Sequence, residues 1–223
     1  MMDPAKTLFY DIDTQRDFIL PGGKLYVPGA ESILPRLEEL SNFAYQKGIA
    51  IAGSVDRHFP TDSELQPNGG AYPEHCMDGT EGQKKVAATA PQHPIWIENR
   101  DYAEAELQAL LRSDGEIYIE KQDIDVFVGN RNAAYVLDTL VQGKEDVVVY
   151  GVVTEICVDL ALAALKDRPV RLHVPVDAIA ALSEEKGKET VEKWRRWGIH
   201  LTTVAEVKAK LASNSSRANP LSP

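Results

Sequence analysis

VVVYGVVTEICVDLALAALK, residues 147–166, joins a predicted buried strand to a predicted buried helix. Its first half is a β-favouring run closed by Gly151, and the alanine- and leucine-rich run beyond Cys157 is typical of a buried helix. Thr154 and Glu155 are capping-type residues, so Cys157 is predicted to lie in the first turn of that helix, where the positive dipole end lowers a thiol pKa. Cys157 is therefore either a nucleophile or a buried cysteine that acts as a small apolar residue.

The composition excludes several classes of protein. The chain has 223 residues with 43% hydrophobic content, which can bury a full core and suits one domain. Its 34 acidic and 24 basic residues leave no broad basic surface, so we expect no nucleic-acid partner. Two cysteines make no disulfide framework, the N-terminus lacks the apolar run of a signal peptide, and no window approaches a membrane span. We therefore expect no membrane partner and a cytoplasmic location.

Strands and helices are predicted to alternate along the chain. The predicted strands cover residues 7–12, 49–55, 116–120, 147–151, 170–176 and 199–203, with a short extended piece at 95–98. Helical patterns cover residues 31–47, 102–112, 130–142, the run beyond Cys157, 183–197 and 204–211. This alternation predicts an α/β fold with a mainly parallel sheet, helices on both faces and a site at the carboxyl ends of the strands. We predict one domain over residues 1–211 and a flexible tail over 212–223.

Three residues that can carry chemistry stand at the ends of predicted strands. Asp13, Lys121 and Cys157 each follow or end such a strand, so a parallel sheet would bring them to one edge. A thiol nucleophile needs a base to accept its proton and a cation to stabilise the thiolate, and a carboxylate with a lysine supplies both. The alternative for the Asp and the Lys is a solvated loop position.

A second group of residues has the chemistry of a metal site. Asp56 and His58 are two apart, so in extended chain both side chains point to the same face. Glu64 and His75 lie in the Gly- and Pro-rich segment that follows and can fold back toward them. Two histidine nitrogens and two carboxylate oxygens suit zinc, and also manganese or iron. The alternative is an acidic loop with two surface histidines.

Three segments together resemble the isochorismatase-like cysteine hydrolases. DIDTQRDFILPGGKLYVPGA, residues 11–30, is similar to the D-x-Q-x-D-F opening of that family with its Gly-Gly turn and V-x-G segment. KQDIDVFVGN, residues 121–130, resembles the lysine segment, and GVVTEICVDLALAAL, residues 151–165, resembles the G-x-x-T-x-x-C-V segment that ends in the nucleophile. The resemblance implies that Asp13, Lys121 and Cys157 are the catalytic residues.

The resemblance also implies a metal and a substrate pocket. Nicotinamidases of that family carry Asp-x-His, a third ligand and a later histidine, and these positions correspond to Asp56, His58, Glu64 and His75. One divalent metal ion is expected, zinc first, with manganese or iron as alternatives. Aromatic residues of the substrate pocket are expected at Phe18, Tyr72 and Phe127. The family commonly has S-A-F where this chain has DVF at residues 125–127.

The fold that the resemblance implies is a three-layer, Rossmann-like α/β/α sandwich with a six-stranded sheet of order 3-2-1-4-5-6. The implied activity is hydrolysis of the small amide nicotinamide to nicotinate and ammonia through a cysteine thioester, in NAD salvage, and we expect a homo-oligomer. Two alternatives remain open. One is a cysteine hydrolase that acts on another small amide or carbamoyl compound, and the other is a metal-holding binding protein on this fold with no chemistry.

The predicted oxyanion hole consists of the backbone N–H groups of Val153 and Cys157, which stabilise the charge that develops on a carbonyl oxygen. The resemblance implies a cis peptide bond between Val152 and Val153. Such bonds are rare away from proline, so this is a specific prediction.

Overall fold

The computed structural model describes residues 1–212, and its central element is a parallel β-sheet with helices on both faces. Within this range the strands are β1 (Thr7–Ile12), β2 (Ala50–Asp56), β3 (Pro94–Ile97), β4 (Glu116–Lys121), β5 (Asp146–Val152), β6 (Arg171–Pro175), β7 (Ile179–Ala180) and β8 (His200–Thr202). The α-helices of the same range are α1 (Arg16–Ile19), α2 (Leu34–Lys47), α3 (Glu104–Leu111), α4 (Val126–Gly129), α5 (Ala133–Val141), α6 (Asp159–Leu165), α7 (Glu184–Arg196) and α8 (Val204–Ala212). No helix in residues 1–212 is long and apolar enough to span a membrane. The predicted tail begins at residue 212, and Ala212 is the last residue of α8. The rest of the predicted tail, residues 213–223, lies outside the described residues.

Neighbouring strands run parallel in the order β3-β4-β2-β1-β5-β6-β8, and β7 pairs with the end of β5. The six predicted main strands therefore have the predicted order, and the three-layer, Rossmann-like architecture is confirmed. The sheet is larger than the six strands predicted, because the extended piece near residue 95 forms the edge strand β3 and β7 adds a further short strand. A strand of two residues is too short for a recognisable alternation, so β7 has no sequence signal.

The two faces of the sheet are covered by separate helical layers, each with its own apolar core. Helices α2 and α8 cover one face, and their core residues include Leu37, Leu40, Phe43, Val207 and Leu211. Helices α3, α5, α6 and α7 cover the other face, with core residues that include Leu107, Val136, Leu162 and Trp194. Strand β5 lies between the layers and is buried at all 7 of its residues, which explains why its sequence is a continuous apolar run without alternation.

Gly151 allows β1 and β5 to approach each other at their carboxyl ends. Its φ is 120°, and a Cβ atom there would lie 2.0 Å from the carbonyl oxygen of Ile12, so only glycine fits. The order of strands reverses between β1 and β5, which is the switch point where doubly wound sheets place their ligand crevice. The close contact between β1 and β5 therefore lies at that switch point.

The long segment between β2 and β3 is anchored to the chain that follows β1. The Val86 N–H donates to the Thr14 carbonyl at 3.0 Å, and the Arg16 N–H donates to the Lys84 carbonyl at 2.9 Å. Beneath them, Nζ of the buried Lys85 lies 3.0 Å from a carboxylate oxygen of Asp11 on β1. These contacts hold the segment against the carboxyl end of the central strand.

Candidate active site

Cys157 lies in a π-helical turn, Thr154–Val158, which leads from β5 into α6. The turn closes where the Val158 N–H donates to the Val153 carbonyl, five residues back, at 3.1 Å. The prediction of an α-helical first turn is thus corrected to a wider π turn. The peptide bond between Val152 and Val153 is cis, which confirms the prediction for that bond.

The three predicted catalytic side chains meet at the carboxyl edge of the sheet. Nζ of Lys121 lies 3.2 Å from Oδ2 of Asp13 and 3.9 Å from Sγ of Cys157, so the ammonium group lies close to both the carboxylate and the thiol. Burial raises the pKa of the Cys157 thiol well above its ordinary value, and the nearby Lys121 charge only partly opposes this. The prediction of a lowered thiol pKa is therefore wrong, because it considered the turn and not the burial. A thiol whose pKa is raised needs a base beside it to become a nucleophile.

Asp13 is positioned to be that base by a residue that the sequence did not single out. Oγ of Ser54, on β2, donates to Oδ1 of Asp13 at 2.7 Å, and the Asp13 N–H donates to the Ser54 carbonyl at 3.1 Å. Asp13 itself has a φ of 48°, which Asp tolerates better than most residues. Burial raises the pKa of the Asp13 carboxyl, with the Lys121 ammonium acting in the opposite direction. A carboxylate with a raised pKa accepts a thiol proton more readily.

The four predicted metal-ligating residues also come together. One ligand atom each from Asp56, His58, Glu64 and His75 lie within 4.8 Å of one another. Nε2 of His75 lies 3.4 Å from Oδ2 of Asp56, and Nε2 of His58 lies 3.7 Å from the same oxygen. Both nitrogens lie 3.8 Å from Oε1 of Glu64. These distances leave room for a cation among the four atoms.

Two atoms of this group are orphaned. Nε2 of His58 and Oε2 of Glu64 are buried and have no hydrogen-bond partner among residues 1–212. Buried polar atoms without partners are rare in native proteins and often mark an ion. The donor set of two imidazoles and two carboxylates is one that divalent metals of the zinc, manganese and iron group accept. The residues present therefore fit the metal ion that the sequence predicts.

Gln15 fixes the backbone of the first ligand. Its Nε2 donates to the Asp56 carbonyl at 2.7 Å, and its Oε1 accepts from the Asp56 N–H at 2.6 Å. The same Nε2 donates to the Gln83 carbonyl at 2.7 Å, so one side chain joins β2 to the long segment. Gln15 is part of the D-x-Q motif at residues 13–15, and its sequence position alone predicts no role for it. Only the fold shows that its partner lies on the neighbouring strand.

Lys121 connects the catalytic group to the metal-ligating group. Its ammonium donates to Oδ1 of Asp56 and to the Asp123 carbonyl, in addition to its contact with Asp13. Burial alone would raise the pKa of Asp56, but the Lys121 charge and the two histidines hold it well below its usual range. Asp56 therefore faces Lys121 with one oxygen and the metal-ligating group with the other.

Two of the three predicted substrate-binding residues lie beside the metal-ligating group. The ring centroid of Phe18 is 5.5 Å from that of His75, and the ring of Tyr72 is 6.1 Å from it. Phe127 makes a cation–π contact instead, with its ring 5.8 Å from the guanidinium carbon of Arg168, and it packs against the apolar core that Cys157 also borders. Phe18, Tyr72 and His75 thus form an aromatic group, and within residues 1–212 the ring contacts of this group do not include Phe127.

The chain matches a model of a known protein family. A model described as the isochorismatase domain matches residues 8–206, which is most of the chain and includes every residue of the site. The chain belongs to the isochorismatase family. A search of curated proteins gives no match.

Several solved structures are similar to the fold of this chain. The chain is 26% identical to the pyrazinamidase of Pyrococcus horikoshii in complex with zinc, with a TM-score of 0.69 and coverage of 89% of this chain and 99% of that chain. It is 20% identical to PnC1 from L. infantum in complex with nicotinate, with a TM-score of 0.71 and coverage of 92% and 96%. It is 23% identical to N-carbamoylsarcosine amidase from Thermoplasma acidophilum, with a TM-score of 0.65 and coverage of 89% and 96%. The chain is accordingly an isochorismatase-like hydrolase.

Proposed function

We propose that this isochorismatase-like hydrolase is a nicotinamidase, which converts nicotinamide to nicotinate and ammonia. The observation that carries the proposal is the contact of Lys121 with both Asp13 and Asp56, which joins a cysteine site directly to a four-residue metal-ligating group. A heteroaromatic amide has two reactive positions, a ring nitrogen and a carboxamide carbon. Cys157 is the nucleophile for the carboxamide carbon, and the metal-ligating group would supply an electrophile for the ring nitrogen when it holds a cation.

The metal-ligating group would hold one divalent cation through Asp56, His58, Glu64 and His75, and the zinc in the similar pyrazinamidase favours zinc. When bound, such a cation supplies a Lewis-acid anchor for the ring nitrogen of the substrate. Phe18 and Tyr72 flank His75 and offer apolar ring faces to a flat aromatic substrate. The substrate class is therefore a small aromatic amide.

Acylation begins at the thiol. Asp13 accepts the proton of Cys157, and the sulfur attacks the carboxamide carbon to form a tetrahedral adduct. Asp13 then gives that proton to the amide nitrogen, the C–N bond breaks, and ammonia leaves. Lys121, 3.9 Å from the sulfur, stabilises the thiolate while it exists. The product of this half is a thioester between Cys157 and the pyridine carbonyl group.

Deacylation uses the same base. Asp13 accepts a proton from a water molecule, the resulting hydroxide oxygen attacks the thioester carbon, and the C–S bond breaks to release nicotinate. The departing sulfur recovers a proton from Asp13. In both halves, the backbone N–H groups of Val153 and Cys157 are the proposed donors to the oxyanion. The reaction would serve the salvage of the nicotinamide ring into NAD.

A second candidate is a cysteine hydrolase for another small amide or a carbamoyl compound. It is favoured by residues 125–127, where DVF replaces the S-A-F that is common in the family. Here the Asp125 carboxylate caps α4 by accepting from the Phe127 N–H at 2.9 Å, and the Phe127 ring faces Arg168. A substrate pocket that the Phe127 ring does not line would accept a substrate that is not a flat ring.

Ammonia release separates the candidates. We expect turnover of nicotinamide and pyrazinamide by untagged protein, with much slower turnover of aliphatic amides and N-carbamoyl amino acids. Absence of turnover with both aromatic amides would refute the nicotinamidase proposal. Cys157→Ala is expected to lose all amidase activity while it retains its metal by elemental analysis. The same result excludes a binding protein with no chemistry, because such a protein would have no activity to lose.

A further inference from the structure

We propose that Asp62 is a positioning residue for the metal centre, whose carboxylate fixes the ring orientation and tautomer of His58. The inference rests on the proposed function, since it takes the four-residue group to hold a divalent cation. Asp62 is not one of the four ligands. It acts from behind His58, on the ring nitrogen that points away from the other three.

A tight turn brings Asp62 back to His58. The Asp62 N–H donates to the Phe59 carbonyl at 3.0 Å, and Pro60 occupies the second position of this turn, where its fixed φ is favourable. In the opposite direction, the Phe59 N–H donates to Oδ2 of Asp62 at 2.9 Å. The sequence His-Phe-Pro-Thr-Asp therefore folds a carboxylate onto the histidine four residues before it.

The same carboxylate oxygen lies 3.0 Å from Nδ1 of His58. An ionised carboxylate only accepts hydrogen bonds, so Nδ1 of His58 carries the proton and Nε2 keeps its lone pair. Nε2 lies 3.7 Å from Asp56 and 3.8 Å from Glu64, and it has no hydrogen-bond partner in the described part of the chain. The lone pair that a metal needs is thus directed into the ligand group.

His75 is oriented in a different way. Its Nδ1 donates to the Pro73 carbonyl at 2.7 Å, so it too presents Nε2 to the ligand group. A backbone carbonyl carries no net charge, whereas Asp62 places a negative charge behind His58. Outer-shell carboxylates of this kind fix the tautomer and increase the basicity of the ligand. His58 is therefore the histidine whose metal affinity depends on a removable side chain.

The turn does not depend on the Asp62 carboxylate alone. Nδ2 of Asn68 donates to the carbonyls of Pro60 and Asp62, each at 2.8 Å, and the Leu65 N–H donates to the Asp62 carbonyl at 3.2 Å. These bonds use backbone atoms of Asp62 and survive its substitution. We therefore expect Asp62→Ala to keep the path of the loop while His58 loses its acceptor.

Zinc affinity tests the proposal directly. It is measured by competition with a chromophoric chelator for the wild type, Asp62→Ala, Asp62→Asn and Glu81→Ala. Loss of an outer-shell partner typically weakens metal binding by about 10–100-fold, and we expect this for Asp62→Ala. Asp62→Asn keeps an oxygen that can accept from Nδ1 of His58, so its loss of zinc affinity should be smaller than that of Asp62→Ala. Glu81, an exposed carboxylate of the same segment that pairs with Arg16 and Lys84, is the charge-matched control and should leave affinity unchanged.

A second readout is the tautomer of His58 in metal-free protein, from ¹⁵N chemical shifts of its ring. The wild type should carry the proton on Nδ1, and Asp62→Ala should shift it toward Nε2. Equal zinc affinity of the wild type and Asp62→Ala would overturn the proposal, as would a neutral wild-type His58 whose single ring proton is on Nε2. If Asp62→Ala does not fold, the tautomer of His58 in the wild type decides.

Weaker zinc binding in Asp62→Ala, together with no hydrolysis of nicotinamide by the wild type, would support this proposal while refuting the proposed function. Wild-type protein that binds no zinc would overturn both.

Discussion

The ammonium group of Lys121 donates a hydrogen bond to Oδ1 of Asp56, so the lysine of the cysteine site is also a neighbour of the metal-ligating group. Lys121 is 1% exposed and balances two buried carboxylates, those of Asp56 and Asp13. The Lys121 ammonium group thus serves both halves of the site. Its removal would leave the carboxylates of Asp13 and Asp56 buried side by side without a balancing charge.

The first prediction concerns the Lys121 ammonium group. Lys121→Met should destabilise the protein by about 3–5 kcal/mol, the cost of leaving a buried ion pair without one partner, and should abolish ammonia release. Urea unfolding at pH 7 measures the first effect and a nicotinamide assay the second. Lys6→Met is the control, because Lys6 pairs with Glu145 at the surface and surface pairs contribute little. A Lys121→Met protein with wild-type turnover would contradict the role given to Lys121.

A second prediction concerns Ser54, which donates to Asp13 at 2.7 Å. A hydrogen bond to a charged group contributes about 1.5–3 kcal/mol, so Ser54→Ala should lower kcat/KM by at least about tenfold as Asp13 loses its orientation. Ser41→Ala is the matched control, since Ser41 is also a buried serine and its hydroxyl donates to the Leu37 carbonyl within α2, away from Asp13. Steady-state kinetics of the two variants would decide. Equal loss in both would mean that the effect is one of stability and not of the base.

The third prediction separates the two cysteines. Cys76 is fully buried, its pKa is raised by burial and by Asp56, and its N–H donates to Asp17 at 2.7 Å. Cys157 is only half-buried and has Lys121 and Asp13 beside it, so iodoacetamide should modify Cys157 first and inactivate the enzyme in step, as peptide mass spectrometry and residual activity can show. Cys76→Ala should keep turnover, whereas Cys157→Ala should lose it. Inactivation that tracks modification of Cys76 would contradict the mechanism.

The meeting of Asp13, Lys121 and Cys157 was predictable because each of them ends or follows a strand of a parallel sheet. The sheet order was predicted from the resemblance to the isochorismatase-like hydrolases, and not from the strand pattern itself. Strand β5 is buried on both faces, and its uninterrupted apolar run carries that information in the sequence. Ser54 and Gln15 were not predictable in the same way. Each bonds a residue 41 positions away, and the contact exists only because β1 and β2 pair in one register, with Ile12 opposite Ser54.

The pKa of the Cys157 thiol shows the limit of local reasoning. The strand-to-helix junction was correctly located, and on its own it favours a thiolate. Burial is set by distant parts of the chain and has the larger effect, so the pKa rises. The sequence has no local signal for such burial, and the same holds for the Phe127 ring, whose contact Arg168 lies about 40 residues further along the chain.

The last prediction concerns the buried pair that anchors the long segment. Lys85 lies 3.0 Å from Asp11, donates to Thr14 at 2.8 Å and sits 4.6 Å from the centre of the Tyr118 ring, with a side chain only 2% exposed. Lys85→Met should leave Asp11 as a buried charge without its partner and destabilise the protein by about 3–5 kcal/mol, measured by urea unfolding.

The double variant Lys85→Met with Asp11→Asn should recover part of that lost stability, because the uncompensated charge is gone and the Thr14 hydroxyl still has an acceptor. Lys84→Met is the control, since Lys84 is an exposed neighbour that pairs with Glu81. Strictly additive single and double variants would show that the pair does not anchor the segment.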